Sequence, residues 1–172
     1  MKFKQWFAEK VHVGQFPIKQ NEHFDATKYD IIINVSDEFY LDVEQHLKDK
    51  GCRTYWFPMN ECKKDIGLNS IYGAMVILFE AERLGNAVYL HCHAGINRSV
   101  SVACAYHYMR TGEHLERIRG GFINMLVANC GRGYLPPKSE LEQFLSKLNK
   151  MLVQGMEDGT LDGCKLGIIN SF

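Results

Sequence analysis

The chain has 172 residues, 46% of them hydrophobic and 23% charged, the size and balance of one globular domain that buries its own core. Lys plus Arg is 20 and Asp plus Glu is 20, so no global field draws the protein to nucleic acid or to an anionic membrane, and any anion site is local. No apolar run approaches the roughly 20 residues of a membrane span, and Met1 to Lys10 lacks the apolar core of a secretory signal.

In chain order, Lys10 to Gln15 reads as a short strand before the Phe16-Pro17 turn, and the Ile-rich Tyr29 to Val35 as a fully buried strand. Asp42 to Lys50 reads as a helix ended by Gly51, and Arg53 to Phe57 as a strand stopped by Pro58. Apolar residues at 71, 74, 75, 78 and 81 predict a helix over Ile71 to Leu84, closed by Gly85-Asn86. Ala87 to His91 is a short apolar strand. Cys92 to Ser99 then lead into the apolar helical segment Val100 to Met109, ended by Thr111-Gly112. Two further helices are expected over Glu113 to Asn129, with a break at Gly120-Gly121, and over Lys138 to Leu152 after Pro136-Pro137. Strands alternating with helices predict an α/β fold with a central, mainly parallel sheet flanked by helices. The cysteine loop falls between a middle strand and a helix. The domain is expected to occupy residues 1–150, with 151–172 as a C-terminal tail.

Six cysteines, at 52, 62, 92, 104, 130 and 164, form no CxxC pair and no Cys/His cluster at zinc-ligand spacing, so no metal site is expected. A chain of this length needs no disulfide staples, which predicts reduced thiols and a cytoplasmic protein.

Cys92 stands apart by its neighbours. It is separated from Arg98 by His93-Ala94-Gly95-Ile96-Asn97, between an apolar strand and an apolar helix. Backbone N–H groups of a loop feeding a helix N-terminus converge on an anion, the helix dipole adds positive charge, and Gly95 permits a backbone conformation other residues resist. The same field stabilises a thiolate at Cys92. Arg98 presents a planar fork of donors suited to two phosphate oxygens. Ser99 is placed to donate a hydrogen bond to the sulfur when a thiolate must leave. A buried thiol at a strand end is the ordinary fate of a lone cysteine; here cradle, nucleophile and arginine occur together in the order phosphoryl chemistry needs.

The run His91 to Ser99 resembles the HCxxGxxRS signature of dual-specificity protein phosphatases, in the cysteine-dependent protein tyrosine phosphatase superfamily. Val11-His12-Val13-Gly14 is similar to the family's opening strand, Ile32 to Ser36 to its "INVS" strand, and Leu135-Pro136-Pro137 with Glu140 to Leu148 to its closing turn and helix. The resemblance covers about residues 8 to 150. It implies a protein-tyrosine-phosphatase-like fold and a hydrolase that dephosphorylates protein phosphotyrosine, with phosphoserine and phosphothreonine as further substrates, through a cysteinyl-phosphate intermediate. Cys92 is then the nucleophile, Arg98 and Ser99 its catalytic partners, and His93, Ala94, Gly95, Ile96 and Asn97 the substrate-binding loop. His91 supports the loop through its backbone. No metal or organic cofactor is implied, and the expected partner is a phosphorylated protein.

The family places an Asp some thirty residues before the cysteine. Aligned on Pro58 that position is Glu61, 31 residues before Cys92, a departure of one methylene; Asp65, 27 residues before, is the alternative acid. Three other readings stay open. Asn97 before Arg98 resembles the phosphatases that remove 5′ phosphates from RNA, for which Lys63, Lys64, Arg117, Arg119 and Arg132 offer local basic surface, so nucleic acid is not favoured but not excluded. A phospho-binding pseudophosphatase needs only the cradle and Arg98, and a rhodanese-like sulfur carrier also uses a cysteine loop. The loop lacks the two lysines frequent in phosphoinositide phosphatases, which disfavours an inositol-lipid substrate. Cys52 and Cys62 are weighed as partners for a protective disulfide with Cys92.

Overall fold

The computed structural model describes residues 10–17, 24–60, 68–95, 97–114, 116–118 and 120–121, with isolated helical positions at 146, 150, 154 and 157. Four strands, β1 (Val11–Gly14), β2 (Ile31–Ser36), β3 (Arg53–Met59) and β4 (Val88–His91), form a sheet in the order β1-β4-β2-β3. All three pairings are parallel. The chain returns between strands through helices α1 (Leu41–Asp49) and α2 (Leu68–Leu84), and α3 (Arg98–Thr111) follows β4. The expected parallel α/β architecture is thus present, and its helices lie on both faces.

Alternation along the strands divides the core. Val13, Leu90 and Ile33 stand in register across three neighbouring strands, fully buried, in the cluster that α2 and α3 cover with Ile71, Ala74, Leu78, Val102 and Ala103. Ile32 and Tyr89 face the other way and pack with Leu47, Ala26 and Cys52. β2 is buried at all six positions because it has a strand on each side and a packed layer on each face, the reason its sequence is a continuous apolar run. Truncating Ile33 to Ala would open a cavity costing about 2–5 kcal/mol.

Most boundaries shift by a residue or two from the sequence expectation, and three of the differences bear on the site. β3 does not stop at Pro58 but runs on to Met59. Among the described residues it is an edge strand, and the register slips between Asn34/Trp56 and Ser36/Met59, so Pro58 sits in a bulge where its missing N–H breaks no ladder bond. α2 begins at Leu68 rather than Ile71, and α3 at Arg98 rather than Val100. Beyond α3, positions 116–118 and 120–121 are helical, so Gly120 and Gly121 both lie in helix rather than in a break. Of the expected helix over Lys138 to Leu152, positions 146 and 150 are helical; the rest, the closing proline turn and nearly all of the expected tail lie outside the described residues.

Candidate active site

Parallel strands end together, and here the last row across the sheet is Gly14, His91, Asn34 and Trp56. Cys92 follows that row directly and is 2% exposed. His91 is buried, and loss of solvent pushes its pKa down to about 3. A neutral imidazole results, and its Nδ1 lies 3.4 Å from the Cys92 carbonyl, which accepts if Nδ1 carries the proton. Phe16 packs edge-on against the His91 ring, with centroids 4.9 Å apart.

The loop from Cys92 is pinned against the end of β1. The Phe16 N–H donates to the His93 carbonyl at 2.9 Å, and the Tyr89 hydroxyl donates to the Gln15 carbonyl at 2.9 Å. Gly95 has φ +71°, and a Cβ there would fall 2.4 Å from the Gly14 carbonyl carbon. Glycine is therefore demanded twice, by a left-handed backbone and by close approach of β1.

α3 starts immediately after Asn97, so its first two residues carry the remaining groups. Ser99 Oγ lies 3.3 Å from Cys92 Sγ, and both are buried. Arg98 is 6% exposed, and its Nη1 donates to the Met59 carbonyl at 3.1 Å and to the Asp37 carboxylate. That hydrogen bond from Arg98 holds the Asp37 carboxyl below its ordinary range. A guanidinium, a helix N-terminus and a sulfur brought together at the C-terminal edge of a parallel sheet suit a phosphoryl dianion and an attack upon it.

Sequence reasoning missed the segment after β2. Asp37 pairs with Arg98, and the Glu38 carboxylate lies 2.5 Å from His93 Nδ1. Asn34 holds this segment: its Nδ2 donates to the Glu38 carbonyl at 2.9 Å, and its Oδ1 accepts from the Ser36 N–H at 2.8 Å. A signal was present, since in a parallel sheet two acids directly after a buried strand must emerge at the edge where the cysteine loop emerges.

Cys92, His93, Ala94, Gly95, Asn97, Arg98 and Ser99 thus occur in one short strand-to-helix connection, with His91 beneath it. Ile96, Glu61 and Asp65 lie outside the described residues, as does Cys62. The Cys52 pairing with Cys92 is not supported. Cys52 precedes β3 and therefore sits at the opposite edge of the sheet, about five residues of strand, roughly 16 Å, from the row that Cys92 follows. Its Sγ instead lies 3.4 Å from the carbonyls of Ala26 and Tyr29.

Comparison with known proteins agrees with this geometry. Residues 11–118 match the family model described as dual specificity phosphatase, catalytic domain. Laforin of Mus musculus is 26% identical over 100 residues, a match covering 54% of this chain but 30% of laforin, so the chain spans under a third of that relative's length. Among solved structures, PTPMT1 superposes with a TM-score of 0.64 at 17% identity, covering 84% of this chain and 95% of that one. Human DUSP28 gives 0.61 at 19%, covering 84% and 96%. The core catalytic domain of the PP-IP phosphatase SIW14 from S. cerevisiae gives 0.62 at 15%, covering 88% and 90%. At these identities the structural likenesses establish the fold.

Proposed function

Since the chain belongs to the dual specificity phosphatase family, we propose that it hydrolyses phosphomonoesters on protein tyrosine, and on serine and threonine, with Cys92 as nucleophile. The observation that carries this reading is the 3.3 Å contact of Cys92 Sγ with Ser99 Oγ, beside a buried Arg98 at the first turn of α3.

In the first step the Cys92 thiolate attacks phosphorus; the S–P bond forms and the bond from phosphorus to the substrate oxygen breaks. The cradle N–H groups and Arg98 hold the three equatorial oxygens, whose contacts tighten as the transition state spreads charge onto them. A carboxylic acid gives its proton to the departing oxygen. We assign that proton to Glu61. Glu61 stands at the family's position for the acid, two residues along the chain from Met59, whose carbonyl accepts from Arg98. In the second step water attacks phosphorus, its proton passes to the same carboxylate, and sulfur departs as a thiolate that the Ser99 hydroxyl stabilises. His91, buried and neutral, takes no proton in either step and holds the loop through its backbone.

The test is a Cys92→Ser trap of the full chain, challenged with phosphotyrosyl and phosphoseryl peptides, 5′-phosphorylated RNA and an inositol phosphate. Retention of phosphopeptide, with hydrolysis by the unaltered protein and none by Cys92→Ser, is the expected result. Capture of RNA or inositol phosphate in its place would reassign the substrate. Thiosulfate sulfurtransfer without phosphatase activity would reassign the reaction.

A further inference from the structure

We propose that the segment 37–41 and Trp56 form an acidic, aromatic rim that docks phosphopeptides carrying arginine beside the phosphorylated residue. The inference rests on the protein-substrate reading above and extends it to the sequence the substrate carries.

The rim lies against both ends of the cysteine loop, with Asp37 on Arg98 and Glu38 on His93. It is held in place from below. Asn34 Nδ2 donates to the Glu38 carbonyl at 2.9 Å, Trp56 Nε1 donates to the Ser36 carbonyl at 2.9 Å, and the Phe39 and Trp56 rings pack with centroids 4.9 Å apart. Tyr40 meets Phe16 edge-on at 5.3 Å, which links the rim to the His91 side of the loop. Despite these anchors Phe39, Tyr40 and Trp56 remain 41%, 50% and 43% exposed, a cluster of large aromatics beside two carboxylates. The first turn of α1 also carries Asp42 and Glu44, the latter 3.8 Å from Lys48 Nζ.

Charge then selects the occupant. When Arg98 turns its fork to phosphoryl oxygens, Asp37 shares or loses its cation while a dianion arrives beside it. A guanidinium supplied by the substrate restores the balance. Its planar donors match a carboxylate in pairs, and its face stacks on exposed aromatic rings, a combination that suits arginine better than lysine. A second phosphate or an acidic residue at the same place would meet two carboxylates instead, so the rim rejects as well as attracts.

The experiment uses the full chain and three phosphotyrosyl peptides that differ only in having Arg, Ala or Glu on both sides of the phosphotyrosine, with a small aryl phosphate as a substrate that has no flanks. At low salt, kcat/KM for the Arg peptide is expected to exceed that for the Glu peptide by about tenfold, mainly through KM, and the ratio to shrink to about threefold at high salt. Glu38→Lys should reverse the order. Equal kcat/KM for the three peptides in the unaltered protein would overturn the rim and leave the protein-phosphatase reading standing. So would a Glu38→Lys protein that still prefers Arg. Turnover of the aryl phosphate with none of the peptides cleaved would overturn both. The comparison in the unaltered protein decides the matter even if Glu38→Lys does not fold.

Discussion

Gly95→Ala separates the two demands placed on the cysteine loop. The residue has φ +71°, and the added methyl would lie 2.4 Å from the Gly14 carbonyl carbon and 2.6 Å from the Gln15 nitrogen. Ordinary contact begins near 3.4 Å, so loop and β1 must separate by about 1 Å. Both sides of that contact are backbone, and neither can rotate out of the way. The left-handed conformation alone costs an alanine about 1–2 kcal/mol. Displacing a reacting group by 1 Å costs about 10²-fold in rate. Gly112 is the control, since it has φ +63° at the end of α3 and nothing within 4 Å of its added Cβ. Gly112→Ala should therefore lose about 1 kcal/mol, a fall in Tm of about 2–4 °C, with kcat/KM on an aryl phosphate unchanged. Gly95→Ala should lose at least as much Tm and also about 10²-fold in kcat/KM. Thermal unfolding and steady-state kinetics on the two purified variants check this. A Gly95→Ala protein as active as Gly112→Ala would show that the approach of β1 does not shape the loop.

Replacing Arg98 by Lys keeps the charge but cannot reproduce the paired donors, and kcat/KM is expected to fall by about 10²–10³, measured on the same aryl phosphate. Glu61→Gln should slow hydrolysis of alkyl phosphates far more than that of aryl phosphates, whose leaving groups need less help, whereas Asp65→Asn should leave that ratio unchanged; the reverse pattern moves the acid to Asp65. Burial depresses the folded-state pKa of His91 to about 3, against an ordinary value of 6.5. Its contribution to stability is present above pH 6.5 and is lost as pH falls toward 3, because the unfolded chain takes up the proton first. The slope is at most about 1.4 kcal/mol per pH unit, and a Tm series over that range should be flatter in His91→Asn.

How much was legible varies by element, for physical reasons. β2 announces itself because only a strand buried on both faces tolerates Ile31 to Val35. The cysteine loop is legible because its residues are contiguous: Cys92, Gly95, Arg98 and Ser99 fall within one strand-to-helix connection, so spacing along the chain is nearly spacing in the fold. Pro58 misled because its effect depends on whether β3 is an edge strand and where the ladder bulges, and both are properties of the neighbour. The separation of Cys52 from Cys92 was equally closed to a linear reading, since it follows from strand direction.

The parallel α/β class and the cysteine loop are both encoded in local pattern: apolar runs of strand and helix length, and a glycine between sulfur and guanidinium. What surrounds that loop follows from contacts between distant parts of the chain. The approach of Gly14 to Gly95 and the pairing of Arg98 with Asp37 bridge 81 and 61 residues of chain. Such contacts depend on four strands ending at one edge, which no local periodicity records. The cradle was therefore readable before folding, while the acidic and aromatic rim beside it came into view only when β2 and β3 were set in register.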